Sequence, residues 1–235
     1  VEAGGDTVKL GIPTIVRYDL LGRLLDSAER GTVKPDGYLI VDNGGGLAAA
    51  GVRVPENTRI IVPGKNLGVA AAWNLILDAA GAEPIVISND DITLGPDAFA
   101  TLSAAAAAYP LVTAGGWALF AQAPECTRTV GYYDESFFPG YYEDTDYAYR
   151  MRLCGFPRHD VSVAVTHVGS ATIKAAPQLN VGRSGAYYHA KWGGAPGHER
   201  WREPFGGTPP EGWSLRAPTW KLPPRRTIID YIYGR

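Results

Sequence analysis

The sequence predicts an α/β fold: a mixed, mostly parallel sheet flanked by helices, followed by an irregular C-terminal extension. Three observations carry this. Short apolar runs alternate with segments of helical periodicity up to Phe120, a pattern that argues for parallel strands with helices packed on them. Polar clusters stand at the ends of the apolar runs, where open α/β sheets bind their ligands. After Gly131 the pattern turns aromatic and loop-like, and from Ala175 the chain is rich in Gly, Pro and Trp with few periodic segments.

Residues 8–17 read as a buried strand. Leu20, Leu21, Leu24, Leu25 and Ala28 have helical spacing and stop at Gly31. Residues 38–41 form a short apolar strand running into Asp42-Asn43-Gly44, a turn signal. Residues 59–62 are a further strand. Asn66-Leu67-Gly68 opens a helix over 69–80, and residues 84–88 form a strand ending in Asn89-Asp90-Asp91. Gly95-Pro96 starts a helix reaching Ala108, and residues 111–120 read as a strand or strand pair. Residues 144–153 form a short helix whose acidic start and basic end suit the helix dipole. Residues 161–166 form a strand leading to His167. No linker separates independent domains. Residues 1–170 make the core, with one half to about 120 and a second over 121–170. Residues 171–235 make an extension packed on it, for which a lid and an oligomer contact such as a homodimer are the candidate roles.

Composition narrows the class. The chain has 235 residues with 46% hydrophobic and 20% charged side chains, ordinary values for a globular protein with a substantial core. Two cysteines build neither a disulfide framework nor a cysteine zinc site. No apolar run has the ~20 residues of a spanning helix, and the reading is a cytoplasmic protein with no transmembrane segment. The net charge of −2 hides an asymmetry. Residues 1–169 carry 12 Lys+Arg against 20 Asp+Glu, and the remainder 10 against 4. A basic flank pairing with an acidic core and a surface for an anionic or ring-shaped ligand both account for this.

Two acidic clusters carry chemistry. Asp90-Asp91 follows a strand, and oxygen ligands at an open site suit Mg²⁺ or Mn²⁺; a solvated turn is the plain alternative. Glu143, Asp144 and Asp146 share one helix start. Asp146 can pair with Arg150 four residues on, which leaves Glu143 and Asp144 as helix caps or as a general base raised by crowding.

The segment GYYDESFFPGYYEDTDYAYRMRLCGF, residues 131–156, resembles the acceptor-side signature of family 2 glycosyltransferases of the rhamnosyltransferase-like kind. Val41-Asp42-Asn43-Gly44 is similar to the family's base-binding turn, Asn66-Leu67-Gly68 through Asn74 to its Asn-x-Gly…Asn helix start, and Asn89-Asp90-Asp91 to its metal motif. His167 before Gly169-Ser170 matches a late metal-binding histidine of some members. Each motif is weak alone; in order over roughly residues 8–170 they are specific. Gly45-Gly46 departs from the family's usual Ser or Asp after the turn.

The resemblance implies a GT-A fold, a nucleotide-diphosphate sugar donor, Mn²⁺ or Mg²⁺, and inversion at the anomeric carbon. UDP- and dTDP-sugars are the favoured donors, GDP-sugars the third class. By position, Asp91 and His167 hold the metal, and Asn89 and Asp90 contact ribose or sugar. Asp42 reads the base, helped by Thr14 and Arg17. Asn66, Gly68 and Asn74 complete the donor side. Asp144 is the general base, Glu143 binds the acceptor or orients Asp144, and Tyr141, Tyr142 and Trp117 line the acceptor pocket. The acceptor is a saccharide, a lipid-linked group, a protein or, as the minority reading, nucleic acid.

Other classes fit less well. A dinucleotide-binding enzyme would use Gly44-Gly45-Gly46-Leu47-Ala48-Ala49, but Pro55 leaves no room for the helix and Asn66 stands where the ribose-binding acid belongs. A sugar nucleotidyltransferase needs glycine and lysine after the first strand, and residues 14–20 have neither. A catalytically inactive nucleotide-sugar or carbohydrate-binding protein need not keep Asp91, Asp144 and His167 together.

Overall fold

The computed structural model describes residues 8–169, 174–175 and 182–216. Seven strands form one sheet: β1 (Lys9–Thr14), β2 (Tyr38–Asp42), β3 (Thr58–Ile61), β4 (Ile85–Ser88), β6 (Leu111–Thr113), β7 (Leu119–Gln122) and β8 (His159–Asp160). The order is β3-β2-β1-β4-β7-β6-β8. The first four are parallel, β7 runs antiparallel to β4 and β6, and β8 is parallel to β6. The segment over 111–120 is thus a strand pair. Instead of one strand over 161–166, the chain forms β8 and then β9 (Val165–His167), which pairs antiparallel with β5 (Ile92–Leu94) in a separate ribbon.

Burial on both faces explains why β2, β4, β6 and β7 read as continuous apolar runs. Successive side chains alternate between two cores. Tyr38, Ile40 and Val86 face a cluster with Leu21, Leu24 and Leu25 of α1 (Tyr18–Glu29) and Phe99 and Leu102 of α3 (Ala98–Ala106). Leu39, Val41, Ile85 and Ile87 face Trp73, Ile76 and Leu77 of α2 (Gly68–Ala80), Cys126 and Val130 of α4 (Pro124–Val130), and Tyr147 and Met151 of α5 (Glu143–Leu153).

The extension holds more order than its composition suggests. Residues 182–192 form α6 (Gly182–Trp192), whose Ser184, Tyr188, Lys191 and Trp192 are buried. That spacing is one helical stripe. Tyr188 and Trp192 join Phe137 and Tyr149 in a third apolar cluster, so α6 packs against α5 and the loop before it. Residues 170–173, 176–181 and 217–235, which include Ser170 and part of the segment read as a lid, lie outside the described residues. No helix among the described residues is long and apolar enough to cross a membrane.

Candidate active site

A cavity of about 390 Å³ opens at the C-terminal ends of β1 and β4, within the usual range for small-molecule sites. Thr14, Asn66, Gly68, Asn89, Asp90 and Asp91 line it from the first half of the chain. Trp117, Tyr141, Glu143, Asp144 and His167 line it from the second. Residues far apart in the sequence, Thr14 and His167 among them, therefore line one cavity. Asn43, Trp73, Gly115, Pro139 and Gly140 also line it and were not singled out in the sequence. Asn43, Trp73, Pro139 and Gly140 lie inside quoted motifs, the one signal that could have found them.

The acids at the end of β4 are held differently. Asp90 accepts a 2.7 Å hydrogen bond from the Thr14 hydroxyl at the end of β1. Burial pushes its carboxyl up to about 7, with the Asp91 charge adding and the Thr14 bond opposing. Asp91 lies 3.0 Å from His167 Nε2. The β5–β9 ribbon produces this contact. Ile92 pairs with His167, and the Val168 N–H donates to the Asp91 carbonyl at 3.0 Å. One carboxylate and one imidazole beside an open cavity form a donor set suited to Mn²⁺ or Mg²⁺. No group of three or more His, Cys, Asp or Glu able to hold an ion occurs among the described residues. The pair fits a divalent ion whose remaining positions a ligand's own oxygens fill.

Glu143 and Asp144 line the same cavity from the start of α5. Asp144 is partly exposed and accepts from the Thr145 N–H at 2.7 Å. Glu143 is 5% exposed, and its Oε2 is buried with no hydrogen-bond partner among the described residues. Burial pushes its carboxyl up to about 8, and the charges of Asp144 and Asp146 act in the same direction. The preceding loop reaches α5 through Tyr141 and Tyr142, both with positive φ, at 69° and 71°. Consecutive left-handed tyrosines are a strained arrangement that surrounding structure must hold. This loop also meets α2. The Val69 N–H donates to the Pro139 carbonyl at 3.0 Å, and a Cβ on Gly68 would stand 2.9 Å from that oxygen.

Four expected residues stand outside the cavity lining: Arg17, Asp42, Asn74 and Tyr142. Arg17 makes a two-point contact with Asp19 at the surface. Asp42 is buried, and its carboxylate accepts from the Tyr18 hydroxyl and from the Gly44, Gly45 and Leu47 N–H groups. It shapes the turn. Asn74 is buried and ties α2 to the acceptor-side loop, exchanging two bonds with the Tyr133 backbone and donating to Glu135. Tyr142 packs against Tyr188 of α6.

The Glycosyl transferase family 2 model matches residues 10–151, more than half of the chain. The chain belongs to glycosyl transferase family 2. The match covers the whole sheet except β8 and ends within α5, so the family segment holds every site residue named above except His167. Among solved structures, a mannosyltransferase from Pyrobaculum calidifontis in complex with GDP-Man and Mn²⁺ superposes with a TM-score of 0.55 at 18% identity, covering 66% of this chain and 55% of that one. TarS from S. aureus, residues 1–349, gives 0.52 at 13% identity over 66% and 58%. A mycobacterial protein gives 0.52 at 17% over 69% and 68%. These similarities show a shared GT-A fold, and the chain spans little more than half the length of the first two. No curated protein sequence matches the chain.

Proposed function

We propose that this family 2 domain is a metal-dependent, inverting glycosyltransferase that moves a sugar from a nucleotide-diphosphate donor to an acceptor hydroxyl. The observation that carries the reading is the convergence, in the lining of one cavity, of Asp90, Asp91 and His167 with Glu143 and Asp144. Asp91 and His167 would hold Mn²⁺ or Mg²⁺ together with the donor diphosphate. When bound, the cation offsets charge developing on the leaving diphosphate. Thr14, Asn89 and Asp90 contact the ribose and sugar, while Asp42 holds the loop beneath the base.

Asp144 takes the proton of the acceptor hydroxyl. The oxygen then bonds to the anomeric carbon as the carbon–oxygen bond to the diphosphate breaks, and in-line attack inverts that carbon. The partly exposed position of Asp144 supports the role, since a base must reach the incoming hydroxyl. Tyr141 and Trp117 offer ring faces to the acceptor. The GDP-Man and Mn²⁺ of the Pyrobaculum enzyme support a nucleotide-sugar donor and a divalent ion here.

A donor panel of UDP-, dTDP- and GDP-sugars, assayed for hydrolysis with Mn²⁺ and with EDTA, tests this. Hydrolysis of one donor that EDTA abolishes and Mn²⁺ restores is expected, with Asp91→Ala inactive. Asp144→Asn should lower turnover on the order of 10²–10⁴-fold, the usual worth of a lost acid–base group, with nucleotide affinity retained. Undiminished turnover of Asp91→Ala in EDTA contradicts the metal requirement, and full activity of Asp144→Asn contradicts the base.

A further inference from the structure

The extension places a fully buried ammonium between two carboxylates that flank the loop of the cavity wall. Lys191 of α6 is 0% exposed, and its Nζ lies 2.7 Å from Asp134 Oδ2 and 2.6 Å from Asp146 Oδ1. Asp134 begins the turn that leads into Pro139, Gly140 and Tyr141 of the cavity wall: its Oδ1 accepts from the Ser136 N–H at 2.9 Å. Asp146 sits in the first turn of α5, its N–H bonded to the Tyr142 carbonyl at 2.8 Å. Glu143 and Asp144 share that first turn. One cation thus ties the loop that walls the cavity to the helix start that carries its acids.

The remaining contacts make the pair a closed network. Arg150 is buried, bonds Asp146 Oδ2 at 2.8 Å, and donates to the Val130 and Tyr132 carbonyls. Trp192 Nε1 donates to Asp146 Oδ1 and the Tyr187 hydroxyl to Asp134 Oδ2, each at 2.8 Å. Two cations and two anions balance. Burial opposes the charge of Asp134, but the Lys191 ammonium and the hydrogen bonds outweigh it and hold the carboxyl below its usual range. Ser184, two turns earlier on α6, donates to the Gly140 carbonyl at 2.9 Å. Helix α6 lies beyond residues 10–151, so its hold on the loop is not part of the family segment.

We propose that Lys191 is a positioning residue for transfer: by bridging Asp134 and Asp146 it sets the Asp134–Tyr142 loop against the start of α5 and fixes where Glu143 and Asp144 stand in the cavity. The inference rests on the reading of Asp144 as base. It also accounts for the two adjacent left-handed tyrosines, because the strained stretch lies between the two points that Lys191 joins.

The test uses the full chain, the donor that wild type hydrolyses with Mn²⁺, and two variants. Lys191→Met leaves two buried carboxylates with one cation, so a lower melting temperature is expected as well as lost turnover. Lys191→Met/Asp134→Asn removes one charge of each sign and restores the balance without restoring the bridge. The expected result for the double variant is a melting temperature near wild type, KM for donor within about twofold, and kcat at least tenfold lower. Recovery of kcat together with melting temperature overturns the proposal, because Lys191 would then serve folding alone. An equal loss of donor affinity and kcat overturns it too. Asp144→Asn, run alongside, separates the two layers. If it is inactive while the double variant is fully active, only the positioning role falls; if it is fully active, the base assignment falls and the positioning role with it.

Discussion

Glu143 and Asp144 are neighbours with opposite surroundings, and burial separates their chemistry. Asp144 is partly exposed, whereas Glu143 is buried with its carboxyl raised to about 8. A raised carboxyl pKa contributes stability that is present in full below the unfolded value of about 4.5 and is lost as pH climbs through about 8. In that window the unfolded chain has released the proton that the folded chain keeps. Asp144 and Asp146, whose charges raise this pKa, lie on the same helix turn. Glu143→Gln, uncharged at every pH, should melt close to wild type at pH 5 and clearly above it at pH 9, as scanning calorimetry would read. An unchanged difference between the two pH values would contradict the buried, neutral state. Both acids were legible in the sequence as one cluster. Which of them water reaches was not, because that depends on how the start of α5 packs in the folded chain. Asp42 shows the same limit: its turn was legible, but its carboxylate is engaged by Tyr18, 24 residues away.

Among the elements, the ribbon and the α2 start set the site. Asp91 and His167 are 76 positions apart, and the β5–β9 register brings them together. A three-residue strand such as Ile92–Leu94 carries too little periodicity to be read in isolation. The start of α2 was readable as Asn66-Leu67-Gly68, and its constraint is testable. Gly68 has φ 83°, and an added Cβ would stand 2.9 Å from the Pro139 carbonyl and 3.0 Å from the Phe138 ring. Gly64 has φ 80° with nothing within 4 Å of an added Cβ. Both alanine variants bear the backbone cost, of order 1–3 kcal/mol; only Gly68→Ala also pushes the loop away. Chemical denaturation should therefore find Gly68→Ala the less stable of the two, and only Gly68→Ala should lose donor hydrolysis.

Over the whole molecule, the charge asymmetry resolves in part as pairing between the extension and the core. Lys191 meets Asp134 and Asp146, and Arg216 meets Asp78 at 2.6 Å while donating to the Asn74 carbonyl. The basic flank is in this measure a counterpart of the acidic core. Ending the chain after Gly169 would leave Asp134 and Asp146 with Arg150 as their remaining cation from this network and would uncover Phe137 and Tyr149. Uncompensated buried charge costs ~3–5 kcal/mol, comparable to the whole stability of a small domain. Near-UV circular dichroism should show lost tertiary packing in that truncated chain with helical signal retained. A cooperative melt at the wild-type temperature would contradict this.

The sequence by itself determined the alternation that makes a mostly parallel sheet, the family, and most of the polar residues that line the cavity. These are local properties: period, turn chemistry and short motifs each depend on a few neighbouring residues. Tertiary structure alone decided that Asp91 meets His167, that the Asp42 carboxylate is engaged by its own turn, and that a segment read as irregular contains a helix bonded to the loop of the cavity wall. Lys191 is polar and lies on the buried stripe of that helix, so hydrophobic periodicity passes over it. Its burial is favourable only because two carboxylates, 57 and 45 positions earlier, wait for it in the folded chain.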